Sequence, residues 1–277
     1  MIEIVEANVL AKQMNDVLRG KRISSVTTLA SPHKFAFFHG DPQSYEGLLI
    51  GKTIGEALPI GGQLKLIIED LIFVFGDGVD LRYLAPGVKR PAKHQLMMEF
   101  EDGSALSGSV QMYGFFQLTT EKDFDNPYYL VAKEKPTPLT EQFDYPYFTG
   151  ILTAAGAEKL SAKAVLATEQ RIPGLGNGVL QDILYQAGIH PKRKVGTFVD
   201  ADREKLFRSI KTVLKDMIQA GGRDTEKDLF GNQGEYSTRL SKNTVGKPCP
   251  ECGHIIQKEA YLGGSIYYCG GCQPLIK

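Results

Sequence analysis

All four cysteines of this chain, Cys249, Cys252, Cys269 and Cys272, fall within its last 29 residues as two Cys-X-X-Cys pairs separated by 16 residues. Each pair sits on a tight turn that draws two sulfurs together, so four thiolates can share one tetrahedral ion, and thiolate donors favour zinc. Two disulfides or four free thiols are the alternatives that the spacing leaves open. A closed four-sulfur site has no vacant coordination position, so one structural Zn²⁺ per chain is expected, not a catalytic one. The segment has few apolar residues, and the ion would supply much of its folding energy. Tyr261, Ile266, Tyr267 and Tyr268 between the pairs predict a β-hairpin. Its aromatics either present the tip to a partner or cover a very small core.

So placed, the cysteines cannot brace the rest of the chain, which must fold on its own apolar patterning. Val9, Leu10, Met14, Val17 and Leu18 recur at helical spacing before Gly20, which predicts a leading helix. The period then changes to that of strands at Phe35 to Phe38, Leu66 to Phe75, Leu96 to Phe100 and Phe115 to Leu118, with a hairpin turn at Glu101-Asp102-Gly103. These residues fit a two-layered β-sandwich or partly open barrel. Lys133 to Pro138 reads as a linker. Helical spacing returns in Leu160 to Leu166, Val179 to Leu184 and Leu206 to Ile218, until Gly221 and Gly222 stop it. The fold class expected is multidomain α+β: an N-terminal β-sandwich with a leading helix (1–132), a helical domain with its linker (133–240), and a four-cysteine hairpin (241–277).

Lys and Arg number 32, and so do Asp and Glu. That balance argues against a surface that is basic throughout and leaves room for a basic stripe on one face. No run of apolar residues is long enough to span a membrane and no targeting leader is evident, so a cytoplasmic monomer is expected.

The central segment Arg171-Ile-Pro-Gly-Leu-Gly-Asn177 runs into a helix and then into Ala187-Gly-Ile-His-Pro191. Gly174 and Gly176 permit a tight turn that another backbone can approach, and Asn177 stands where the helix starts, as a cap or as part of an anion site. Lys192, Arg193 and Lys194 on the following turn are either a phosphate-facing patch or an ordinary solvated surface.

The glycine turn with Asn177, the Ala-Gly-Ile-His-Pro segment, the Ala220-Gly-Gly222 helix end and the four-cysteine module occur in the order of the helix–two-turn–helix and zinc-finger halves of the Fpg/Nei (MutM/endonuclease VIII) DNA glycosylases. Asp102-Gly103 before Tyr113-Gly114, and Pro138-Leu139 before Phe143, also fit. The chain resembles that family over essentially its whole length. The resemblance implies binding of double-stranded DNA carrying a lesion or abasic site, with Asn177, Gly174, Gly176, Lys192 and Arg193 among the DNA-contacting residues and Tyr113 as a wedge into the base stack.

The same resemblance implies an altered catalytic set. Family members begin Met-Pro-Glu, and the exposed proline nitrogen attacks the sugar while the glutamate handles the proton. Here Glu3 is retained but Ile2 replaces the proline, leaving Met1 as a displaced terminal amine. Leu64 stands at the family's lysine, with Lys65 one residue away and turned to the opposite face unless a bulge restores it. Gly264 stands at the hairpin arginine, Asp77 where methionine is common, and Met112 at a second arginine. The reading is a repair protein that binds damaged, abasic or unusual DNA with catalysis altered or lost. The alternatives are an active glycosylase/lyase using Met1 or Lys65 with Glu3, and an RNA-binding or protein-interaction scaffold.

Overall fold

The computed structural model describes residues 1–276, which divide into two compact units. The first comprises Met1–Tyr129 and a later segment, Glu226–Gln233. Helix α1 (Ile4–Val17) buries Val5, Val9, Leu10 and Met14, and starts at Glu3, whose backbone N–H donates to the Glu6 carboxylate at 3.2 Å. The Glu3 side chain in turn accepts from the Glu6 backbone N–H, completing a capping box made possible by two glutamates three residues apart. The chain continues through β1 (Ile23–Thr28), β2 (Ala36–Phe38), α2 (Tyr45–Leu49), β3 (Ile54–Ile60), β4 (Gln63–Ile68), β5 (Leu71–Leu84), β6 (Leu96–Phe100) and β7 (Ala105–Thr119). Among the described residues these strands form one seven-stranded sheet in the order β1-β6-β7-β5-β4-β3, with β2 parallel to β7.

The two ends of that path meet. Ile54 N–H donates to Lys21 O at 2.9 Å and Ile23 N–H to Lys52 O at 3.0 Å, around an antiparallel bridge between Arg22 and Thr53. Strands β5 and β7 are long enough to serve both layers, and their register shifts between Asp77 and Val79. Five residues of β7, Val110 to Gly114, face only Asp77 to Val79, so Gln111, Met112 and Tyr113 bulge outward and are exposed. One core gathers Ile2, Leu10 and Met14 with Ile23, Leu64, Phe73, Phe75, Leu96 and Phe116. Leu229 from the later segment is buried in it too, which is why Glu226–Gln233 belongs to this unit rather than to the helical stretch around it in the sequence.

The chain passes to the second unit along α3 (Pro127–Glu134). There follow α4 (Tyr145–Thr153), α5 (Ala162–Ala167), α6 (Asn177–Ala187), α7 (Asp200–Gln219) and the antiparallel hairpin β8 (Gln257–Tyr261) and β9 (Gly264–Tyr268). Helix α6 ends on Gly188 at φ 71°, and Gly221 and Gly222 follow α7 at φ 68° and 108°, left-handed values that favour glycine. The cysteine module does not stand apart from the helices: Leu240, Cys249, Ile256 and Cys269 form a cluster against which Tyr185 of α6 packs. No described helix is long and apolar enough to cross a membrane.

Candidate metal centre and nucleic-acid interface

The sulfurs of Cys249, Cys252, Cys269 and Cys272 all lie within 4.8 Å of one another. The separations are 3.7 Å for Cys249–Cys272, 3.3 Å for Cys252–Cys269 and 3.4 Å for Cys252–Cys272. A disulfide requires about 2.05 Å, so these are not bonded pairs. Four sulfurs about 2.3 Å from a central ion would stand about 3.8 Å apart at the corners of a tetrahedron. The cluster therefore fits a coordinated metal. Tyr185 Oη lies 3.0 Å from Cys249 Sγ and backs the site from α6. Gly271 is required at the second knuckle, because a Cβ there would come within 2.6 Å of His254 Nδ1 and 2.9 Å of Cys252 Sγ.

The hairpin docks onto the start of α6. Gly174 turns the chain at φ 79°, and Gly176, in extended conformation, is the N-cap. Asn177 is thus the first helical residue rather than the cap itself. Its Nδ2 donates to Ser265 O at 2.7 Å, while its Oδ1 is buried with no protein donor. One turn on, Gln181 donates to the same carbonyl at 3.2 Å and accepts from Tyr267 N–H at 3.0 Å. Lys163, buried on α5, donates to Tyr261 O at 2.6 Å, and burial pulls its pKa down. Gly264 lies against this group: a Cβ there would stand 3.4 Å from Lys163 Nζ and 3.5 Å from Asn177 Nδ2. Gln181 and Lys163 are absent from the sequence reading. Gln181 carried a signal, being four residues from Asn177 and so on the same helical face.

The basic turn is largely consumed within the protein. Arg193 is buried, donating to Asp202 Oδ2 at 2.5 Å and to Thr197 O at 2.8 Å, so it is a structural ion pair and not a phosphate-facing residue. Asp202, three residues past the end of the preceding loop, offered the carboxylate that pulls it inward. Lys192 pairs with Glu259 on the hairpin, which holds that carboxylate below its usual range, and Lys194 donates to Lys159 O at 2.8 Å.

In the first unit the N-terminal ammonium lies 2.7 Å from Glu226 Oε2. Ile2 is buried, with its N–H donating to Asp77 O at 2.6 Å, and Glu3 is the buried N-cap of α1. Burial raises the pKa of Asp77 against the pull of the N-terminus, and burial raises that of Asp80 against Arg82, Lys227 and the N-terminus. Lys65 is not part of this group. The β4–β5 register runs unbroken from Gln63↔Gly76 to Ile68↔Leu71, leaving no bulge to rotate it. Leu64 faces the core with Ile2, whereas Lys65 sits across from Val74, which belongs to a separate cluster with Phe124 and Tyr129, and it pairs with Glu121 at 3.3 Å. The expectation of a displaced catalytic lysine is corrected accordingly. Tyr113 projects from the β7 bulge, its hydroxyl pKa raised by partial burial and then by Asp77.

Residues 135–228 match the model of the formamidopyrimidine-DNA glycosylase H2TH domain. The formamidopyrimidine-DNA glycosylase of Shouchella clausii is 28% identical over 282 residues, covering 99% of each chain, and that of Bacillus cereus is 25% identical over 283 residues, covering all of both. Among solved structures, the Lactococcus lactis Fpg in complex with abasic-site DNA superposes with a TM-score of 0.83 at 23% identity, over 98% of this chain and 99% of that one. The Thermus thermophilus MutM (Fpg) protein gives 0.81 at 20% identity, over 99% of this chain and 100% of the other. These last two establish a shared fold. Residues 135–228 thus match the formamidopyrimidine-DNA glycosylase H2TH domain, and the chain is similar over its whole length to formamidopyrimidine-DNA glycosylases.

Proposed function

We propose that this protein binds double-stranded DNA containing a lesion or an abasic site, as a base-excision-repair protein of the Fpg/Nei type whose glycosylase and lyase chemistry has been lost. The observation that carries the first half is the full-length likeness to a protein solved on abasic-site DNA, cysteine module included. In this reading the four cysteines hold one structural Zn²⁺, which supplies no reaction chemistry and fixes the hairpin on α6. The glycine turn at Gly174 and Gly176 and Asn177 meet phosphates, and Tyr113, on its bulge, enters the base stack.

The loss of chemistry rests on the three substituted positions. Ile2 and Leu64 are core residues, and Gly264 has no guanidinium to clamp a phosphate. The competing reading, an enzyme using the Met1 amine with Glu3, has the retained glutamate in its favour. Against it, the amine is spent on Glu226, and Glu3 has a structural task as the helix cap. The deciding experiment offers abasic and oxidised-base duplexes to the protein and follows gel shift, strand cleavage and borohydride trapping. Binding stronger than to undamaged duplex, with neither cleavage nor adduct, is expected. Equal affinity for undamaged DNA would overturn the binding reading, and a trapped adduct the loss of chemistry.

A further inference from the structure

The first unit carries an aromatic surface that neither the metal site nor the positions assigned above account for. Strand β2 lies parallel to β7 with Ala36 beside Gly114 and Phe37 beside Phe115, and Gly114 N–H donates to Phe35 O at 3.0 Å. Alternation sends Ala36 and Phe38 inward, where Phe38 stacks on Phe116 at 5.0 Å, and turns Phe35 and Phe37 outward. They are 46% and 53% exposed, and Tyr113, next to Phe35 by register, is 40% exposed. Phe115, beside Phe37 in register, lays its ring over Gly76, and the backbone of Tyr113 closes on Gly78. A Cβ at Gly76 would lie 2.0 Å from the Phe115 ring, and one at Gly78 would lie 2.5 Å from Tyr113 O.

The charge around these rings is one-sided. From Leu29 to Gly40 there is no acidic residue, and none from Leu84 to Met98, in a chain whose charges otherwise balance. Two backbone bonds, Leu29 N–H to Gln95 O at 2.8 Å and Ser31 N–H to His94 O at 3.0 Å, lay the two segments side by side. His33 and Lys34 come from the first, and Lys89 and Lys93 from the second. Lys34 Nζ stands 5.3 Å from the Phe35 centroid, and His33 meets that ring edge-on at 6.4 Å. Of the acidic groups bordering these residues, Asp41 accepts from Gln43 N–H at 3.0 Å, Glu99 pairs with Arg90 at 3.0 Å, and Asp77 beside Tyr113 has its carboxyl raised by burial.

Flat rings at alternate positions of a strand stand about 6.6 Å apart, a spacing suited to successive unstacked bases, and unpaired lysines beside them suit the intervening phosphates. We propose that Phe35 and Phe37, with the His33–Lys34 and Lys89–Lys93 cations, form a stacking platform for single-stranded nucleic acid. The site extends the proposed DNA-binding function and rests on it for its biological sense, but it is tested separately.

Because the chain has no tryptophan, Phe37→Trp places a single tryptophan, excited selectively over the tyrosines at long wavelength, in the platform. Its emission should be quenched by short oligothymidine at low salt. Fluorescein-labelled oligothymidine should bind the wild type, and Phe35→Ala with Phe37→Ala should weaken that binding about tenfold or more. The same double variant should retain its affinity for an abasic-site duplex. Absence of quenching in Phe37→Trp, or equal oligothymidine affinity of the double alanine variant and the wild type, overturns the platform. A wild type that binds oligothymidine but shows no preference for the abasic duplex leaves the platform standing and removes the duplex reading instead.

Discussion

Gly264 and Asn177 show how the identity of one residue sets the contacts of its neighbours. With only hydrogen at Gly264, the hairpin backbone approaches α6, and the Asn177 amide is used to hold Ser265 O. Asn177→Asp would place a carboxylate against that carbonyl, so it does not preserve the fold as a simple capping argument would have it. Asn177→Ala is the cleaner probe. It removes one hydrogen bond, worth about 1 kcal/mol, and also the unpartnered Oδ1, so the loss of stability should stay below about 1 kcal/mol by chemical denaturation. Abasic-duplex affinity at matched salt should still fall, and an unchanged affinity would remove Asn177 from the DNA contacts. Asp182 gives a pH test. It is buried on α6, accepts from Arg239 N–H and Leu240 N–H at 2.8 Å each, and burial outweighs these donors to push its carboxyl up to about 6. Its unfolded value is near 3.9, so the folded state binds the extra proton between about pH 4 and 6, and stability falls as pH rises through that window. Asp182→Asn cannot titrate and loses an acceptor. Its cost relative to wild type should therefore be largest near pH 4 and shrink by up to about 3 kcal/mol by pH 7; a cost independent of pH would contradict the assignment. At this scale the sequence was least legible: the Lys192-Arg193-Lys194 run reads as a patch, and only the fold reveals that Glu259, Asp202 and Lys159 O occupy it.

At the scale of elements the sequence said more, because apolar period is a local property. The leading helix, the turn at Asp102-Gly103 and the helix stop at Gly221-Gly222 lie where the pattern puts them. Closure of the sheet at Arg22 and Thr53, the outward bulge at Gln111 to Tyr113 and the capture of Leu229 by the first core depend on partners distant in sequence, which no local period encodes. The cysteine module was legible for another reason: metal chemistry dictates spacing directly. Since Leu240, Ile256 and the cysteines are most of its cluster, metal removal should unfold it selectively. Treatment with a strong chelator, or Cys269→Ser, should release about one equivalent of zinc and abolish the protection of β9 amides from hydrogen exchange, while β5 and β7 stay protected. Retention of β9 protection in metal-free protein would show that packing on α6 suffices without the ion.

For the molecule as a whole, the proposed loss of chemistry is tested by introducing the residues that the Fpg/Nei resemblance implies at positions 2, 64 and 264, and the packing says that each change has its own cost. The standard reaction needs a terminal nucleophile, a cation near the sugar and a clamp on the phosphates, acting as a unit. Gly264→Arg is sterically open, since its Cβ meets only the ordinary contacts at Lys163 and Asn177. Ile2→Pro removes the N–H that donates to Asp77 O and part of the apolar volume beside α1. Leu64→Lys is the most costly, because Leu64 is 0% exposed in the core cluster and paired across the strands with Phe75, and an unpaired ammonium there costs several kcal/mol or forces its way out through the core. The triple variant Ile2→Pro, Leu64→Lys, Gly264→Arg should therefore melt well below the wild type and yield no borohydride-trapped adduct with abasic duplex, while Gly264→Arg alone should fold normally and bind that duplex more tightly. A stable triple variant that cleaves abasic DNA would mean that the Leu64 site can open toward the N-terminus, and that only three side chains separate this protein from a working lyase.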